Sequence, residues 1–274
     1  MSEHKFTSLG LHDDLLKNLD SLGYQTMTAV QAKSLPLVLE GQDVIAQAKT
    51  GSGKTAAFGL GLLQKLEVKR FRIQSLILCP TRELADQVAK EIRKLARGIH
   101  NIKVLTLCGG MPFGPQAGSL QHGAHIIVGT PGRIEDHLGR GTLTLKDVNM
   151  LILDEADRML DMGFIRDIRK VLRAIPKNRQ NLLFSATFSK DIKQLANELL
   201  NAPMEIQVAR QNTTAEQISQ VVHPVDRSRK RELLSHMIGL GNWRQVLVFT
   251  RTKHLANRLS KQLEQDGISA AAIH

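Results

Sequence analysis

A glycine-rich segment that ends in a lysine and a threonine gives the sequence its strongest chemical signal. The segment Ala48-Lys-Thr-Gly-Ser-Gly-Lys54-Thr55 follows a predicted strand at 43–47 and precedes a helical pattern. Glycines in such a loop let backbone N–H groups converge on phosphate oxygens. The spacing matches a phosphate-binding loop, except that Ala48 replaces the first glycine. The residues predicted to line the phosphate site are Ala48, Thr50, Gly51, Ser52, Gly53, Lys54 and Thr55.

A second segment supplies the carboxylates that such a loop needs. Lys54 would lie against the β- and γ-phosphates of a nucleotide, and the Thr55 hydroxyl would ligate Mg²⁺. Leu151-Ile-Leu-Asp154-Glu155 brings two carboxylates to the carboxyl end of a predicted strand, where ligands bind in open parallel sheets. Asp154 would hold Mg²⁺ through water, and Glu155 would orient or deprotonate the attacking water. An Asp-Glu pair can also cap a helix, but its combination with Lys54 favours the catalytic interpretation.

Short apolar runs that alternate with amphipathic stretches predict the elements that position these residues. The runs lie at residues 44–46, 76–79, 104–107, 126–128, 151–153 and 182–184, with amphipathic helices at 82–95, 134–138 and 164–174. Most runs are apolar on both faces, as buried parallel strands are. Strand–helix alternation predicts an α/β domain with a doubly wound parallel sheet and right-handed crossovers.

The alternation is interrupted once and then resumes. Residues 210–217 are polar and lack apolar periodicity, which predicts a linker. Strands are then predicted at 218–222, 246–249 and 268–273, and helices at 229–238 and 253–265. So small a fragment would bury little core and leave an open sheet edge. The predicted organisation is a first domain at 1–208, a linker at 209–217 and the truncated start of a second α/β domain at 218–274.

The composition narrows the class of partner. The net charge of +11, from 37 Lys and Arg against 26 Asp and Glu, suggests a polyanion. Charge does not distinguish RNA, DNA and an anionic membrane surface, and a basic protein without a polyanionic partner also fits. Aromatic residues make up only 4% of the chain, so a nucleic acid would be held mainly by its backbone rather than by base stacking.

The sequence is not expected to contain a membrane span or a secretory signal peptide. No apolar stretch approaches the ~18 residues of a membrane span, and the N-terminus lacks the pattern of a signal peptide. The two cysteines, Cys79 and Cys108, lie inside apolar runs without metal-ligand spacing. Buried free thiols in a reducing cytoplasm are the expected state.

Several motifs resemble those of one family, the DEAD-box ATP-dependent RNA helicases. Asp154-Glu155-Ala156-Asp157 resembles its defining tetrad, and Gly23-Tyr-Gln-Thr-Met-Thr-Ala-Val-Gln31 resembles its adenine-reading Q motif, with Phe6 seventeen residues before Gly23. Its other motifs are matched, in family order, by Pro80-Thr-Arg-Glu-Leu-Ala85, Gly109-Gly110, Thr130-Pro-Gly-Arg133, Ser185-Ala-Thr187 and Phe249-Thr-Arg-Thr252. Each motif alone is weak, but the set covers the chain and is very specific. The resemblance is to bacterial members, of the RhlE-like and ribosomal-RNA-directed subgroups.

The resemblance implies a RecA-like P-loop domain that binds ATP and Mg²⁺. The Gln31 amide would pair with N6 and N7 of adenine, an edge that guanine does not offer. Phe6 would stack on the base, and Tyr24 of the same motif would also contact the nucleotide. Phe6 could instead anchor the N-terminal segment in the core, and Gln31 could be a surface amide. Ala29 stands where the family usually has proline, which removes no hydrogen-bonding group.

The resemblance also implies a set of RNA contacts at Pro80, Thr81, Arg82, Gly109, Gly110, Thr130, Gly132 and Arg133. Hydroxyls, backbone N–H groups and guanidinium groups read phosphates and 2′-hydroxyls without base identity. The two arginines could instead pair with carboxylates such as Glu83 and Asp154. Motif residues Asp157, Ser185 and Thr187 would couple hydrolysis to unwinding. The implied partner is RNA, ribosomal or messenger, with no membrane and no obligate oligomer.

The expected function is that of an ATP-dependent RNA helicase which couples ATP hydrolysis to local duplex unwinding. The family's arginine finger would lie beyond His274, and such a finger contributes roughly 10³–10⁵ in rate in related enzymes. We therefore expect this chain to bind nucleotide, to hydrolyse it slowly if at all, and not to unwind a duplex. Two alternatives stay open: an ATP-gated RNA-binding module without turnover, and another P-loop ATPase that acts on DNA or protein.

Overall fold

The computed structural model describes residues 4–208, 219 and 221–274. The chain divides into two compact units, Met1–Thr213 and Thr214–His274. The division falls inside the predicted linker at 209–217, which lies outside the described residues. Each unit is therefore described separately, and the domain boundaries stay a prediction.

The first unit is built on a parallel sheet of seven strands. They are β1 (Val44–Gln47), β2 (Ser75–Leu78), β3 (Val104–Leu107), β4 (Ile126–Gly129), β5 (Met150–Leu153), β6 (Gln180–Ser185) and β7 (Met204–Gln207). Their order across the sheet is β3-β4-β2-β5-β6-β1-β7, and every pairing is parallel. The six predicted strands are confirmed. Strand β7 was not predicted, because it is an edge strand in which only Ile206 is buried.

Helices connect the strands on both faces of the sheet. They are α1 (Asp13–Ser21), α2 (Ala29–Leu39), α3 (Lys54–Lys65), α4 (Arg82–Leu95), α5 (Phe113–Gln121), α6 (Pro131–Gly139), α7 (Ala156–Asp161), α8 (Ile165–Ala174) and α9 (Lys190–Leu199). The predicted helix at 82–95 is confirmed with both ends. Its boundaries follow from local chemistry, because the Thr81 hydroxyl accepts the Leu84 N–H at 3.3 Å as an N-cap.

Alternate residues of each strand feed two cores, one on each face of the sheet. In β2, Ile77 joins one apolar cluster, and its neighbours Leu76 and Leu78 join the other. Ile152 of β5 likewise packs on the side opposite to Leu151. A strand buried on both faces needs apolar side chains at every position, which explains why the runs in the sequence are continuous rather than alternating.

The first unit contains both cysteines of the chain. Cys79 and Cys108 are buried and unpaired, as predicted. Burial raises the pKa of both thiols, that of Cys108 to about 11, so both are protonated at neutral pH.

No helix in the described ranges combines the length and apolar character needed to cross a membrane.

The second unit contains two helices in its described part, α10 (Lys230–Leu240) and α11 (Lys253–Gln265). The predicted helix at 253–265 is confirmed with both ends, whereas the one at 229–238 begins one residue later and ends two residues further on. The strands predicted at 246–249 and 268–273 are wrong, because these segments form no ladder. A strand needs a hydrogen-bonded neighbour, and no described segment of this unit supplies one. Positions 218 and 220 of the strand predicted at 218–222 lie outside the described residues, and Val221 and Val222 are in no strand.

A buried carboxylate, Asp43, ties the start of β1 to two later segments. Its Oδ1 accepts the Asn181 N–H at 2.7 Å, and its Oδ2 accepts Asn181 Nδ2 at 3.0 Å and the Asn201 N–H at 2.8 Å. Only 8% of Asp43 is exposed. Three donors that converge on one buried carboxylate fix the register in which β1 lies between β6 and β7.

We predict that Asp43→Asn lowers the free energy of unfolding of the first unit by about 2 kcal/mol, because one accepting oxygen becomes an NH₂ group that faces N–H donors. Urea denaturation followed by circular dichroism measures this change. Asp161→Asn, which neutralises an exposed carboxylate of the same unit, is the matched control. Equal urea midpoints for the two variants would contradict the role of Asp43.

Candidate active site

The predicted chemical motifs meet at one edge of the sheet, where three adjacent strands end. The phosphate-binding loop follows β1, the Asp154-Glu155 pair follows β5, and Ser185 ends β6, the strand between them. The loop is joined to β6 by a hydrogen bond of 2.9 Å from the Ala48 N–H to the Ser185 carbonyl. The parallel sheet thus brings together residues that are far apart in the chain, as expected for the carboxyl ends of strands.

The loop has the backbone shape of an anion cradle. Gly51 and Gly53 have φ values of +81° and +91°, which residues with a side chain rarely adopt. Gly53 is the N-cap of α3, so the first N–H groups of that helix, which have no partner within it, point towards the loop. Ser52 closes the turn, since its Oγ donates to the Lys49 carbonyl at 2.7 Å. Ala48 is buried, with 1% exposure, so its methyl group packs in the core beneath the loop.

Lys54 and Asp154 form a buried pair of opposite charges beside the loop. Lys54 Nζ lies 3.4 Å from Asp154 Oδ1, and the two side chains are 5% and 3% exposed. Lys54 Nζ makes no hydrogen bond to any described residue. Burial raises the pKa of the Asp154 carboxyl, and the Lys54 ammonium opposes this shift. A buried ammonium without a hydrogen bond is costly unless a further anion joins it, so the pair is suited to a phosphate and its metal ion.

Glu155 is held against the loop by a strained backbone and two side chains. Its φ and ψ are 53° and 52°, the left-handed region, which costs about 1–3 kcal/mol outside glycine. Thr50 Oγ1 donates to its Oε1 at 2.8 Å, and Arg158 Nη1 lies 3.3 Å from its Oε2. Both Thr50 and Glu155 were predicted at the site, whereas Arg158 was not. A carboxylate fixed beside the phosphate loop can orient a water molecule there.

Gln31 bridges the start of α2 and the phosphate loop. Its Oε1 accepts the Thr28 N–H at 2.8 Å, and its Nε2 donates to the Gly53 carbonyl at 3.1 Å. Gln31 is 5% exposed, so the interpretation of a mere surface amide is wrong. Each amide atom keeps one further capacity, a second proton on Nε2 and a second lone pair on Oε1. That remaining pair suits the N7 and N6 groups of adenine.

Phe6 and Tyr24, the two aromatic residues predicted to contact the nucleotide, both contact other parts of the protein. Phe6 is 3% exposed and belongs to the apolar cluster that includes Leu11 and Leu15, so it anchors the N-terminal segment in the core. The Tyr24 hydroxyl donates to Glu91 Oε1 at 2.8 Å and accepts from Lys94 Nζ at 3.1 Å. Tyr24 thereby fastens the segment before α2 to α4, which positions Gln31.

The residues predicted to couple hydrolysis to unwinding are linked directly. The Thr187 N–H and Oγ1 donate to Asp157 Oδ2 at 3.0 and 3.1 Å, and Ser185 Oγ donates to the Thr187 carbonyl at 2.8 Å. Gln47, which was not predicted at the site, adds a hydrogen bond of 3.1 Å from its Nε2 to the Ala186 carbonyl. The segments after β1, β5 and β6 are thus joined by side-chain hydrogen bonds.

The predicted RNA-contact residues also lie at the carboxyl edge, on the neighbouring strands. Gly109 and Gly110 are exposed after β3, and the Gly109 N–H donates to Thr130 Oγ1 at 3.2 Å. Pro80 is buried after β2, Thr81 caps α4, and Gly132 lies in the first turn of α6.

The two arginines of this set have different surroundings. Arg82 is 47% exposed and pairs loosely with Glu83 at 3.4 Å. Arg133 is only 13% exposed, and both Nη atoms donate to the Met111 carbonyl at 3.0 Å. Arg133 therefore holds the loop that carries Gly109 and Gly110, and its carboxylate partner is Asp136, with Nε 3.8 Å from Oδ2, rather than Asp154. The sequence gives no sign of this role, because the acceptor is a backbone carbonyl.

Known proteins show the same sequence pattern and fold. Residues 28–195 match the DEAD/DEAH box helicase family. The chain is 50% identical over 259 residues to the ATP-dependent RNA helicase DbpA of Escherichia coli (strain K12), which covers 94% of this chain and 56% of DbpA. It is 41% identical over 269 residues to the DEAD-box ATP-dependent RNA helicase CshA of Geobacillus kaustophilus (strain HTA426), which covers 98% of this chain and 57% of CshA. The chain thus spans little more than half the length of these relatives.

Two solved structures confirm the predicted fold class. The crystal structure of a DEAD box protein from the hyperthermophile Methanococcus jannaschii has a TM-score of 0.72 at 40% identity, over 98% of this chain and 72% of that chain. S. cerevisiae Dbp5 bound to RNA and ADP BeF3 has a TM-score of 0.81 at 30% identity, over 96% of this chain and 67% of that chain. The α/β, RecA-like parallel sheet is therefore confirmed, and the matched segment and these identities show that the chain belongs to the DEAD/DEAH box helicase family.

Proposed function

We propose that this chain is the ATP-binding part of an ATP-dependent RNA helicase that couples ATP hydrolysis to local unwinding of an RNA duplex. The observation that carries the proposal is the buried Lys54–Asp154 pair beside the phosphate loop, with Glu155 fixed next to it. The relatives named above are bacterial RNA helicases, which supports RNA as the polymer and a cytoplasmic location.

The residues present fit ATP and Mg²⁺. Lys54 Nζ is buried and has no hydrogen bond among the described residues, so it can receive β- and γ-phosphate oxygens. Thr55 and, through water, Asp154 would hold Mg²⁺, which when bound neutralises the charge of the phosphates. Gln31 would read the adenine edge and, through the Gly53 carbonyl, would link base recognition to the shape of the phosphate loop.

Glu155 is the group that would orient and deprotonate the attacking water. Thr50 and the left-handed backbone fix its carboxylate, and Arg158 Nη1 donates a longer hydrogen bond, of 3.3 Å, to its second oxygen. Positioning before binding removes the entropic cost of ordering the base during the reaction. Thr50 and Arg158 are therefore positioning residues in this mechanism.

RNA would be held through its backbone at the carboxyl edge of β2, β3 and β4. Exposed Arg82, together with Thr81 and the N–H groups around Gly109 and Gly110, would contact phosphates and 2′-hydroxyls. Pro80, Thr130, Gly132 and Arg133 would shape this surface, since Thr130 and Arg133 both bond the loop that contains Gly109. Ribosomal RNA or messenger RNA would serve equally, because these contacts carry no base identity.

Coupling would run through hydrogen bonds that span the three strand ends. Asp157 lies two residues after Glu155 and accepts two hydrogen bonds from Thr187. Ser185 fixes the turn that presents Thr187. A change at the carboxylates therefore alters the position of Thr187 directly, without a long conformational path.

We predict that Glu155→Gln leaves ATP affinity within about threefold and abolishes the slow RNA-stimulated phosphate release expected of this chain, because the general base is lost and the charge pair at Lys54 is kept. Fluorescence titration with a labelled ATP and a phosphate-release assay measure the two quantities. Exposed Glu40→Gln is the control. An RNA-stimulated rate in Glu155→Gln that equals the unsubstituted rate would contradict the role of Glu155. If the unsubstituted chain binds RNA in an ATP-dependent manner but releases no more phosphate than Lys54→Ala does, the chain is an ATP-gated RNA-binding module instead.

We predict that Gln31→Ala removes the preference for ATP over GTP, with ATP affinity falling by about 10- to 100-fold and GTP affinity little changed. Competition titrations with the two nucleotides give the ratio, which separates base recognition from any general loosening of the loop. Gln87→Ala, at an exposed position of α4, is the matched control. A retained ATP preference in the Gln31 variant would show that another group reads the base.

A further inference from the structure

The opposite edge of the sheet, where the strands begin, carries a surface that the proposed mechanism does not use. The residues just before four neighbouring strands form one row of backbone hydrogen bonds. The His125 N–H donates to the Lys103 carbonyl, the Gln74 N–H to the His125 carbonyl and the Asn149 N–H to the Gln74 carbonyl, each at 2.9 Å. The segments before β3, β4, β2 and β5 are thus contiguous at this edge.

The loop at residues 67–73, before β2, is held in one shape by two buried side chains. Gln74 is 1% exposed; its Nε2 donates to the Glu67 and Arg70 carbonyls at 2.9 and 2.8 Å, and its Oε1 accepts the Glu67 N–H at 3.0 Å. His125 Nδ1 accepts the Lys103 N–H at 3.1 Å, so Nε2 carries the proton and donates to the Val68 carbonyl at 3.0 Å. The loop is therefore ordered before any ligand arrives.

This ordered loop exposes an aromatic ring between cations. The consecutive side chains Lys69, Arg70, Phe71 and Arg72 are all exposed, and Phe71 is 48% exposed. The Phe71 ring stands edge-on to His125 with 4.8 Å between centroids, and a side chain at Gly123 would collide with it. Half of the ring is thus fixed by packing, and half is free to contact a ligand.

The same edge has an excess of positive charge. Its lysines and arginines are Lys69, Arg70, Arg72, Lys103, Lys146, Lys177 and Arg179, which lie in the segments before β2, β3, β5 and β6. Against them stand Glu67 and Asp147, and Asp147 pairs with Arg70 at 2.9 Å. A half-exposed aromatic ring whose chain neighbours are exposed cations, with further cations on the same edge, is an arrangement with which proteins hold single-stranded nucleic acid.

We propose that this surface, the loop at 67–73 together with Lys103, Lys146 and Lys177, is a second binding site for single-stranded RNA. The cations contact phosphates, and Phe71 stacks on one unpaired base. The choice of RNA as the polymer rests on the proposed function. The site itself lies at the edge opposite the phosphate loop, so binding to it needs no nucleotide and continues while the carboxyl-edge contacts open and close.

A protein partner fits this surface less well. The core of a protein interface is depleted of charge and gathers several large apolar residues, whereas Phe71 is surrounded by Lys69, Arg70 and Arg72. Duplex RNA also fits less well, because its bases are already stacked and offer no face to an aromatic ring. A single-stranded RNA end or an RNA loop offers both phosphates and unstacked base faces.

The direct test places a tryptophan at the stacking position. Phe71→Trp in a Trp243→Phe background leaves position 71 as the only tryptophan, since the chain has one Trp. We expect a decameric uridine oligonucleotide, added without nucleotide, to quench its fluorescence in a salt-dependent manner. A blunt RNA duplex of the same length should not quench it. Absence of quenching by the single strand, or equal quenching by the duplex, would overturn the proposal.

Affinity measurements on variants separate the aromatic and the charged contributions. Phe71→Leu should weaken nucleotide-independent binding of the decamer by about tenfold, while Phe71→Tyr keeps it. Arg72→Ala should reduce the slope of log K against log salt by about 0.7. Binding by Phe71→Leu equal to that of the unsubstituted chain would refute stacking. If a polyglutamate peptide displaces the decamer as effectively as unlabelled RNA does, the proposed RNA site is refuted and the surface binds acidic partners in general.

A final variant distinguishes failure of this proposal from failure of the proposed function. Arg82→Ala should weaken the ATP-dependent binding of RNA and leave the nucleotide-free quenching at position 71 unchanged. If ATP has no effect on RNA binding and the quenching persists, the second site stands and the helicase function fails. If ATP-dependent binding is intact and the quenching is absent, the second site alone is refuted.

Discussion

A buried pair of opposite charges, Lys54 and Asp154, is the interaction on which the rest of the site depends. Removing two such ions from water costs several kcal/mol for each unless partners hold them closely. Here Nζ and Oδ1 are 3.4 Å apart, and the Glu155 N–H donates to the same Oδ1 at 3.0 Å. The parallel sheet makes this possible, because the loop after β1 and the carboxylates after β5 end at the same edge. The incomplete hydrogen bonding of Lys54 leaves the pair ready for an anion rather than satisfied by the protein.

The same edge is kept in position by hydrogen bonds between segments that are far apart in the chain. Thr50 and Glu155 are separated by 105 residues and share a hydrogen bond of 2.8 Å. Asp157 and Thr187 are joined by two hydrogen bonds. Because each link connects the end of one strand to the end of another, a ligand at the phosphate loop acts on a connected unit. These hydrogen bonds also hold Glu155 in its strained left-handed backbone conformation.

Much of this site could be predicted from the sequence, because its chemistry depends on local spacing. The phosphate loop, the paired carboxylates and six of the seven strands follow from short patterns. Arg133 and Tyr24 could not be placed, since their partners, the Met111 carbonyl and Glu91, are brought near them only by the fold. The edge strand β7 lacks an apolar run, and in the second unit the apolar segments at 246–249 and 268–273 lack a described ladder partner. Periodicity predicts which side chains prefer burial, and tertiary contacts decide whether burial and pairing occur.

The distribution of positive charge differs between the two edges of the sheet. At the carboxyl edge the Arg133 side chain is engaged by the Met111 carbonyl, whereas Arg82 is 47% exposed and pairs only loosely with Glu83. Backbone N–H groups and hydroxyls at that edge need no charge excess to contact phosphates. At the amino edge the cations outnumber the carboxylates, and Gln74 and His125 order the loop that displays them. The net charge of +11 is a sum over the whole chain and does not by itself favour either edge, so the proposed retention of an RNA strand at the amino edge rests on the local excess of cations there.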